Sequence, residues 1–142
     1  RFDGLRVLVV DDDEDARDLL ESILTAAGCN VVRAASAYEA LRSFSDAPPD
    51  VLLSDVNMPG QDGYALIREI RALPRERGGD VPAAAITAHA RQEDRSRLLN
   101  AGFSIHLPKP IDPTELMAVI STLTRFLHRR ATPVEGSSNG QP

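Results

Sequence analysis

The chain holds a single cysteine, Cys29, so no disulfide can close within it, and this usage suits a reducing cytoplasm. No apolar run approaches the ~20 residues that a membrane-spanning helix needs, and no secretory leader is expected. Excess positive charge is missing too. Sixteen basic residues face twenty-one acids, and the formal net charge of −5 argues against nucleic acid as a partner. The basic stretch RFLHRR (125–130) is too short for a DNA-binding motif, so no output domain is expected here. The chain does not begin with methionine, as a segment cut from a longer protein would not. Lysine is almost lacking: of the sixteen basic residues, fifteen are arginine and one is Lys109.

The 142 residues suffice for one domain with its own core. Short apolar runs alternate with amphipathic stretches. LRVLVV (5–10) is continuous and β-branched, as a strand buried on both faces should be. Ala16, Leu19, Leu20, Ile23, Leu24 and Ala27 follow at helical spacing, and Gly28 stops that helix. NVVRAA (30–35) predicts a second strand, with Ser36 as N-cap of the next helix. VLLSDV (51–56) predicts a third strand, followed by the turn-rich MPGQDG (58–63) and a helix that Pro74 ends. VPAAAIT (81–87) is ambiguous, since three alanines favour helix, but its place in the alternation predicts strand. RQEDRSRLLNAG (91–102) predicts a polar helix with few apolar anchors, SIHL (104–107) a fifth strand, and Leu116 to Leu127 a last helix. Residues 1–4 are expected to be an N-terminal extension, 5–130 the domain, and ATPVEGSSNGQP (131–142) a disordered tail.

Five strand–helix units imply an α/β domain, a doubly wound parallel sheet with right-handed crossovers. Such sheets bind ligands beyond the carboxyl ends of their strands, and those ends collect a specific set of groups. The first strand ends in Asp11 and Asp12, the third at Asp55, the fourth at Thr87 and the small Ala88, and the fifth just before Lys109. Residues 11–15 are five consecutive acids. Adjacent carboxylates repel by about 1 to 4 kcal/mol, depending on the local dielectric. A hard divalent cation would offset that repulsion at the strand ends, and Mg²⁺ takes oxygen ligands at about 2.0–2.1 Å. Asp13, Glu14 and Asp15 have another use, because acids at a helix start are stabilised by the macrodipole by about 0.3–1 kcal/mol each.

The segments VLVVDDD (7–13), LLSDVNMPGQDG (52–63), AITA (85–88) and LPKP (107–110), in that order and each at a strand end, resemble the receiver domain of two-component response regulators. The second half of the chain is most similar to the C-terminal receivers of bacterial hybrid histidine kinases. The resemblance implies a flavodoxin-like fold of five helices around a five-stranded sheet in the order 2-1-3-4-5. It implies that Asp55 is the phosphoacceptor, and that Asp11, Asp12, Asp55 and the backbone carbonyl of Asn57 hold Mg²⁺, with Mn²⁺ as an alternative. It also implies that Thr87, Ala88 and Lys109 receive the phosphoryl group, and that the Lys109–Pro110 bond is cis. The implied partner is a histidine kinase or a phosphotransfer protein. Phosphorylation is expected to switch a surface made by helix four, strand five and helix five, which could also serve a homodimer. His106 departs from the pattern. Receivers usually carry an aromatic ring there that turns inward on activation. Imidazole is smaller and polar, though still able to act as a rotamer switch.

Two other functions compete. Asp11 and Asp13 satisfy the DxD spacing of a haloacid-dehalogenase-like Mg²⁺ phosphatase, but Asp15 stands where that family has Thr or Val, and Asp55 would be idle. An unphosphorylated interaction module is the third reading. Asp55, Thr87 and Lys109 stand intact against it.

Overall fold

The computed structural model of the chain describes residues 1–88 and 91–131. The tail expected from 131 to 142 lies, beyond Ala131, outside the described residues. The elements alternate throughout: β1 (Arg6–Val10), α1 (Glu14–Ala26), β2 (Asn30–Ala34), α2 (Ala37–Asp46), β3 (Val51–Asp55), α3 (Gly63–Arg71), a 3₁₀ turn (Arg75–Arg77), β4 (Ala83–Thr87), α4 (Gln92–Ala101), β5 (Ile105–Pro108) and α5 (Pro113–Ala131). All strand pairs are parallel, in the order β2-β1-β3-β4-β5. This is the flavodoxin-like order expected above. β5 lies at an edge, where Pro108 breaks no ladder on both sides.

The period of two along each strand splits the core into two layers. Val7, Val9, Leu53, Ile86 and Leu107 face α1 and α5, where Leu20, Leu24, Leu116, Ile120 and Leu123 are buried. Leu8, Val10, Leu52, Ala83 and Ala85 face α2, α3 and α4, where Ala40, Phe44, Leu66, Ile67 and Ile70 are buried. The alanines of β4 are a strand despite their helix propensity. All five residues of β4 are buried between β3 and β5, and the tertiary ladder overrides a weak local preference.

Caps set where the helices begin and end. Asp13 is the N-cap of α1 and its carboxylate accepts the Asp15 N–H. Ser36 Oγ accepts the Glu39 N–H, and Asp62 Oδ1 accepts the Ala65 N–H. Gly28, at φ +97°, terminates α1. Its N–H reaches the Thr25 carbonyl while the Cys29 N–H reaches that of Leu24, the double bond of a Schellman stop. The 3₁₀ turn after Pro74 was not expected. It closes on Gly78, whose φ of +94° only glycine adopts cheaply.

Leu19 differs from the periodic expectation, being 45% exposed at the edge of the α1 face, while the 58% exposure of Leu99 fits the polar character expected of α4. α4 buries only Leu98 and Ala101 of its own residues, and its N-cap, Arg91, makes no side-chain capping bond. A buried leucine is worth about 1.5–3 kcal/mol. α4 has one such anchor, while α5 has Leu116 and Leu123 with Val119 and Ile120 besides. Among the described residues no helix is long and apolar enough to cross a membrane. The N-terminal residues dock on the domain: the Phe2 N–H donates to the Ala27 carbonyl and the ring packs on the α1–α5 layer.

Candidate functional site

β1 and β3 are neighbours in the sheet, so their carboxyl ends lie side by side. Asp11 follows the last residue of β1 and Asp55 is the last of β3. Carboxylate oxygens of Asp11, Asp12 and Asp55 all lie within 4.8 Å of one another. Asp11 and Asp55 are buried, while Asp12 is exposed. The Lys109 ammonium enters from the end of β5, 3.5 Å from Asp11 Oδ2 and 3.4 Å from Asp55 Oδ1. Its backbone N–H donates to the Thr87 carbonyl at 2.9 Å, which ties the lysine to the end of β4. The Lys109–Pro110 bond is cis.

The loop after β3 is held close. The Asn57 N–H donates to Asp55 Oδ1 at 3.4 Å, and the Gly63 N–H to the Val56 carbonyl at 3.1 Å. A Cβ at Gly63 would stand 2.3 Å from the Asp55 carbonyl oxygen, so only glycine lets α3 begin this near the acid. Thr87 is buried at the end of β4, one residue beyond the partner of Asp55, and Ala88 is exposed beside it. His106 is not in this cluster. It is half-buried on β5 and lines a groove of about 200 Å³ with Arg95, Leu98, Leu99, Ser104 and Ile105.

Three carboxylates against one ammonium leave the cluster negative. Burial pushes the Asp55 carboxyl above the usual range, Asp11 pushes it further, and Lys109 and the Asn57 N–H pull it back only in part. Burial alone would lower the Lys109 ammonium, but Asp11 and Asp55 outweigh it and hold the group above its usual value. Asp11 Oδ2 is buried and accepts no hydrogen bond. A buried carboxylate oxygen with no hydrogen bond, met only by the Lys109 ammonium at 3.5 Å in a net-negative cluster of oxygen donors, fits a hard divalent cation such as Mg²⁺.

The DxD alternative loses its second acid. Asp13 is exposed and its carboxylate is spent on the cap of α1. Arg17 lies in none of the strand-end motifs, yet its Nη1 donates to the Asp11 carbonyl at 2.7 Å. A signal was there: Arg17 is the only basic residue between Arg6 and Arg33, in the most acidic part of the chain.

The model of the response regulator receiver domain matches residues 7–121. The chain is 47% identical over 114 residues to the uncharacterised 14.6 kDa protein of the sodA1 3′ region in Leptolyngbya boryana, covering 80% of this chain and 86% of that one. It is 38% identical over 133 residues to the transcriptional regulatory protein PrrA of Mycobacterium tuberculosis, covering 94% of this chain but only 54% of PrrA. The sensor histidine kinase GacS of Pseudomonas protegens is 35% identical over 133 residues, which are 93% of this chain and 14% of GacS. Among solved structures, the receiver domain of the sensor histidine kinase PA1611 from Pseudomonas aeruginosa, with a magnesium ion coordinated in its active-site cleft, is similar at TM-score 0.76 and 36% identity, over 88% of this chain and 98% of that one. The chemotaxis protein CheY4 of Vibrio cholerae is similar at TM-score 0.79 and 29% identity, over 84% of this chain and 98% of that one. With the family pattern covering most of the described residues and the acidic strand ends in place, the chain belongs to the response regulator receiver domain family, the receiver module of two-component signal transduction.

Proposed function

We propose that Asp55 takes a phosphoryl group from a phosphohistidine on a histidine kinase or phosphotransfer protein. The observation that carries this reading is the cluster of Asp11, Asp12 and Asp55 with Lys109 Nζ at 3.4 Å from the Asp55 carboxylate. In the transfer, an Asp55 carboxylate oxygen forms the new O–P bond as the donor's P–N bond breaks, and the electron pair leaves with the imidazole. Asp11, Asp12, Asp55 and the Asn57 carbonyl would hold Mg²⁺, or Mn²⁺ as an ion with the same preference for oxygen ligands. Bound there, the metal supplies charge neutralisation for the phosphoryl oxygens. Lys109 Nζ, 3.4 Å from the Asp55 carboxylate, adds a positive charge beside the acceptor. The Thr87 hydroxyl and the Ala88 backbone receive the remaining phosphoryl oxygens. The chain then acts as catalyst of its own phosphorylation and dephosphorylation.

The output is carried by α4, β5 and α5, on which a partner or a second copy would dock. α4 can move at low cost, because it has so few buried anchors and no side-chain cap. We take residues 5–130 as the signalling unit, working in the cytoplasm, as the lone buried Cys29 suits. A kinase or output domain elsewhere in a longer parent chain is part of the same reading. The test is incubation with acetyl phosphate. One phosphoryl group should be added with Mg²⁺ and none in EDTA, as read by intact mass. Equal labelling in EDTA would sink the metal-assisted reading.

Asp12 is the exposed member of the cluster, so its removal should not disturb the core. Wild-type protein is expected to gain thermal stability with Mg²⁺, by linkage about 2.7 kcal/mol at a hundred times Kd. Asp12→Ala should lose that gain and be no less stable than wild type in EDTA, because a repelling charge is gone. A Mg²⁺-dependent melting shift of wild-type size in Asp12→Ala would count against the site.

His106 is proposed as the switch position. It lines the groove under α4, so a shift of α4 must change what surrounds the imidazole. Its NMR resonances should move when beryllofluoride, a phosphoryl mimic, is added with Mg²⁺. Unchanged His106 signals, in a sample whose Asp55 signals do shift, would remove His106 from the switch.

A further inference from the structure

Asp11 is held on three of its four polar groups. Its N–H donates to the Ala34 carbonyl at 3.1 Å, its Oδ1 accepts the Asp13 N–H at 3.0 Å, and its carbonyl accepts Arg17 Nη1 at 2.7 Å. The fourth, Oδ2, is buried without a hydrogen bond and faces Lys109. The one group without a hydrogen bond is thus the one turned toward Lys109 and the acceptor site.

The third of these bonds has a particular consequence. The Asp11 carbonyl lies in the same rigid plane as the Asp12 N–H and the Asp12 Cα. A donor that fixes this oxygen therefore fixes the plane from which the Asp12 side chain departs. Arg17 is a firm base for such a donor. Its own backbone N–H donates to the Asp13 carbonyl at 3.1 Å in the first turn of α1, and its side chain is half-buried. At 2.7 Å the bond is at the short end for a charged donor, where such bonds are strongest. None of the strand-end motifs includes Arg17, and its guanidinium is bonded to the peptide backbone of the loop.

We propose that Arg17 is a positioning residue for the Mg²⁺-dependent acceptor site: its guanidinium clamps the Asp11–Asp12 peptide so that both carboxylates are aimed before the metal arrives. This rests on the proposed reading of the strand-end cluster as a metal site. The sign of the effect separates it from a plain charge effect. A cation acting only through its field opposes a second cation nearby, so its removal would tighten Mg²⁺ binding. Loss of a clamp weakens binding, and partners that orient metal ligands typically contribute about 10- to 100-fold in metal affinity.

The experiment is calorimetric titration of metal-free protein with Mg²⁺, without phosphodonor, for wild type, Arg17→Met and Arg17→Lys. Methionine keeps a helix-forming, unbranched stem and removes both the charge and the donors. Lysine keeps the charge but not the planar fork. Arg17→Met should raise Kd about 10-fold or more, and Arg17→Lys should fall between it and wild type. In EDTA, the Asp12 and Asp13 amide resonances should shift in Arg17→Met while those of α5 stay in place. At saturating Mg²⁺ its phosphorylation rate should return toward wild type, because the metal then holds the carboxylates itself. An unchanged or lower Kd in Arg17→Met overturns the proposal. Should that variant not fold, Arg17→Lys decides, and unchanged or tighter binding overturns it. Wild-type protein that binds no Mg²⁺ would instead overturn the metal reading beneath it.

Discussion

Asp55→Asn is expected to abolish phosphorylation by acetyl phosphate in the presence of Mg²⁺, while the metal-free protein melts at a higher temperature than wild type. The first effect follows from replacing the nucleophilic carboxylate by an amide of the same shape. The second follows from the electrostatics of the pocket. Asp55 is 3% exposed, and its carboxyl is pushed up by burial and by Asp11, with only partial relief from Lys109 and the Asn57 N–H. An acid whose folded pKa is raised costs the fold free energy when ionised. That cost is full above the folded pKa and is lost as pH falls from there to the lower unfolded value. The gain in melting temperature should therefore be largest at neutral pH and fade in acid. A full label on Asp55→Asn would move the acceptor to another residue. Equal melting temperatures at neutral pH in EDTA would show that Asp55 is relieved by something other than the groups around it here.

Lys109→Arg should slow phosphoryl transfer by about 10²- to 10³-fold, the usual cost of removing one well-placed donor from a developing anion. It should leave folding and Mg²⁺ binding intact. The substitution is conservative in charge, and the chain uses arginine at fifteen other positions. The site makes it unfavourable. Nζ is a compact ammonium within 3.5 Å of two buried carboxylates, on a side chain only 32% exposed. A planar guanidinium is wider, carries its donors in a fixed fork, and does not occupy the same point. Phosphorylation rates, with α4 chemical shifts beside wild type, measure the outcome. Matching rates and matching shifts would make Lys109 an ordinary cation and weaken the strand-end reading as a whole.

Much of this molecule is written locally. The continuous β-branched run before Asp11, the stop at Gly28, the caps at Ser36 and Asp62, and the polar pattern of 91–102 each act within a few residues, through backbone sterics, a single hydrogen bond or apolar spacing. Order along the chain also places Asp11, Asp55, Thr87 and Lys109 at strand ends, since a strand followed by a helix in a parallel sheet has its carboxyl end on a known edge. Tertiary structure decided what no local rule carries. Ala83, Ala84 and Ala85 became strand because the ladder between β3 and β5 outweighs their helix preference. Leu19 fits the apolar period of α1, yet it is 45% exposed, in a groove it shares with Lys109, Pro110 and Ile111. Asp12 and Asp55 are 43 residues apart in sequence, yet their carboxylates meet because β1 and β3 are neighbours in the sheet. Arg17 reaches back six residues to the Asp11 carbonyl. These outcomes depend on which groups lie opposite one another once the sheet has closed. Sequence spacing sets the period of a face, and only packing sets what stands across from it.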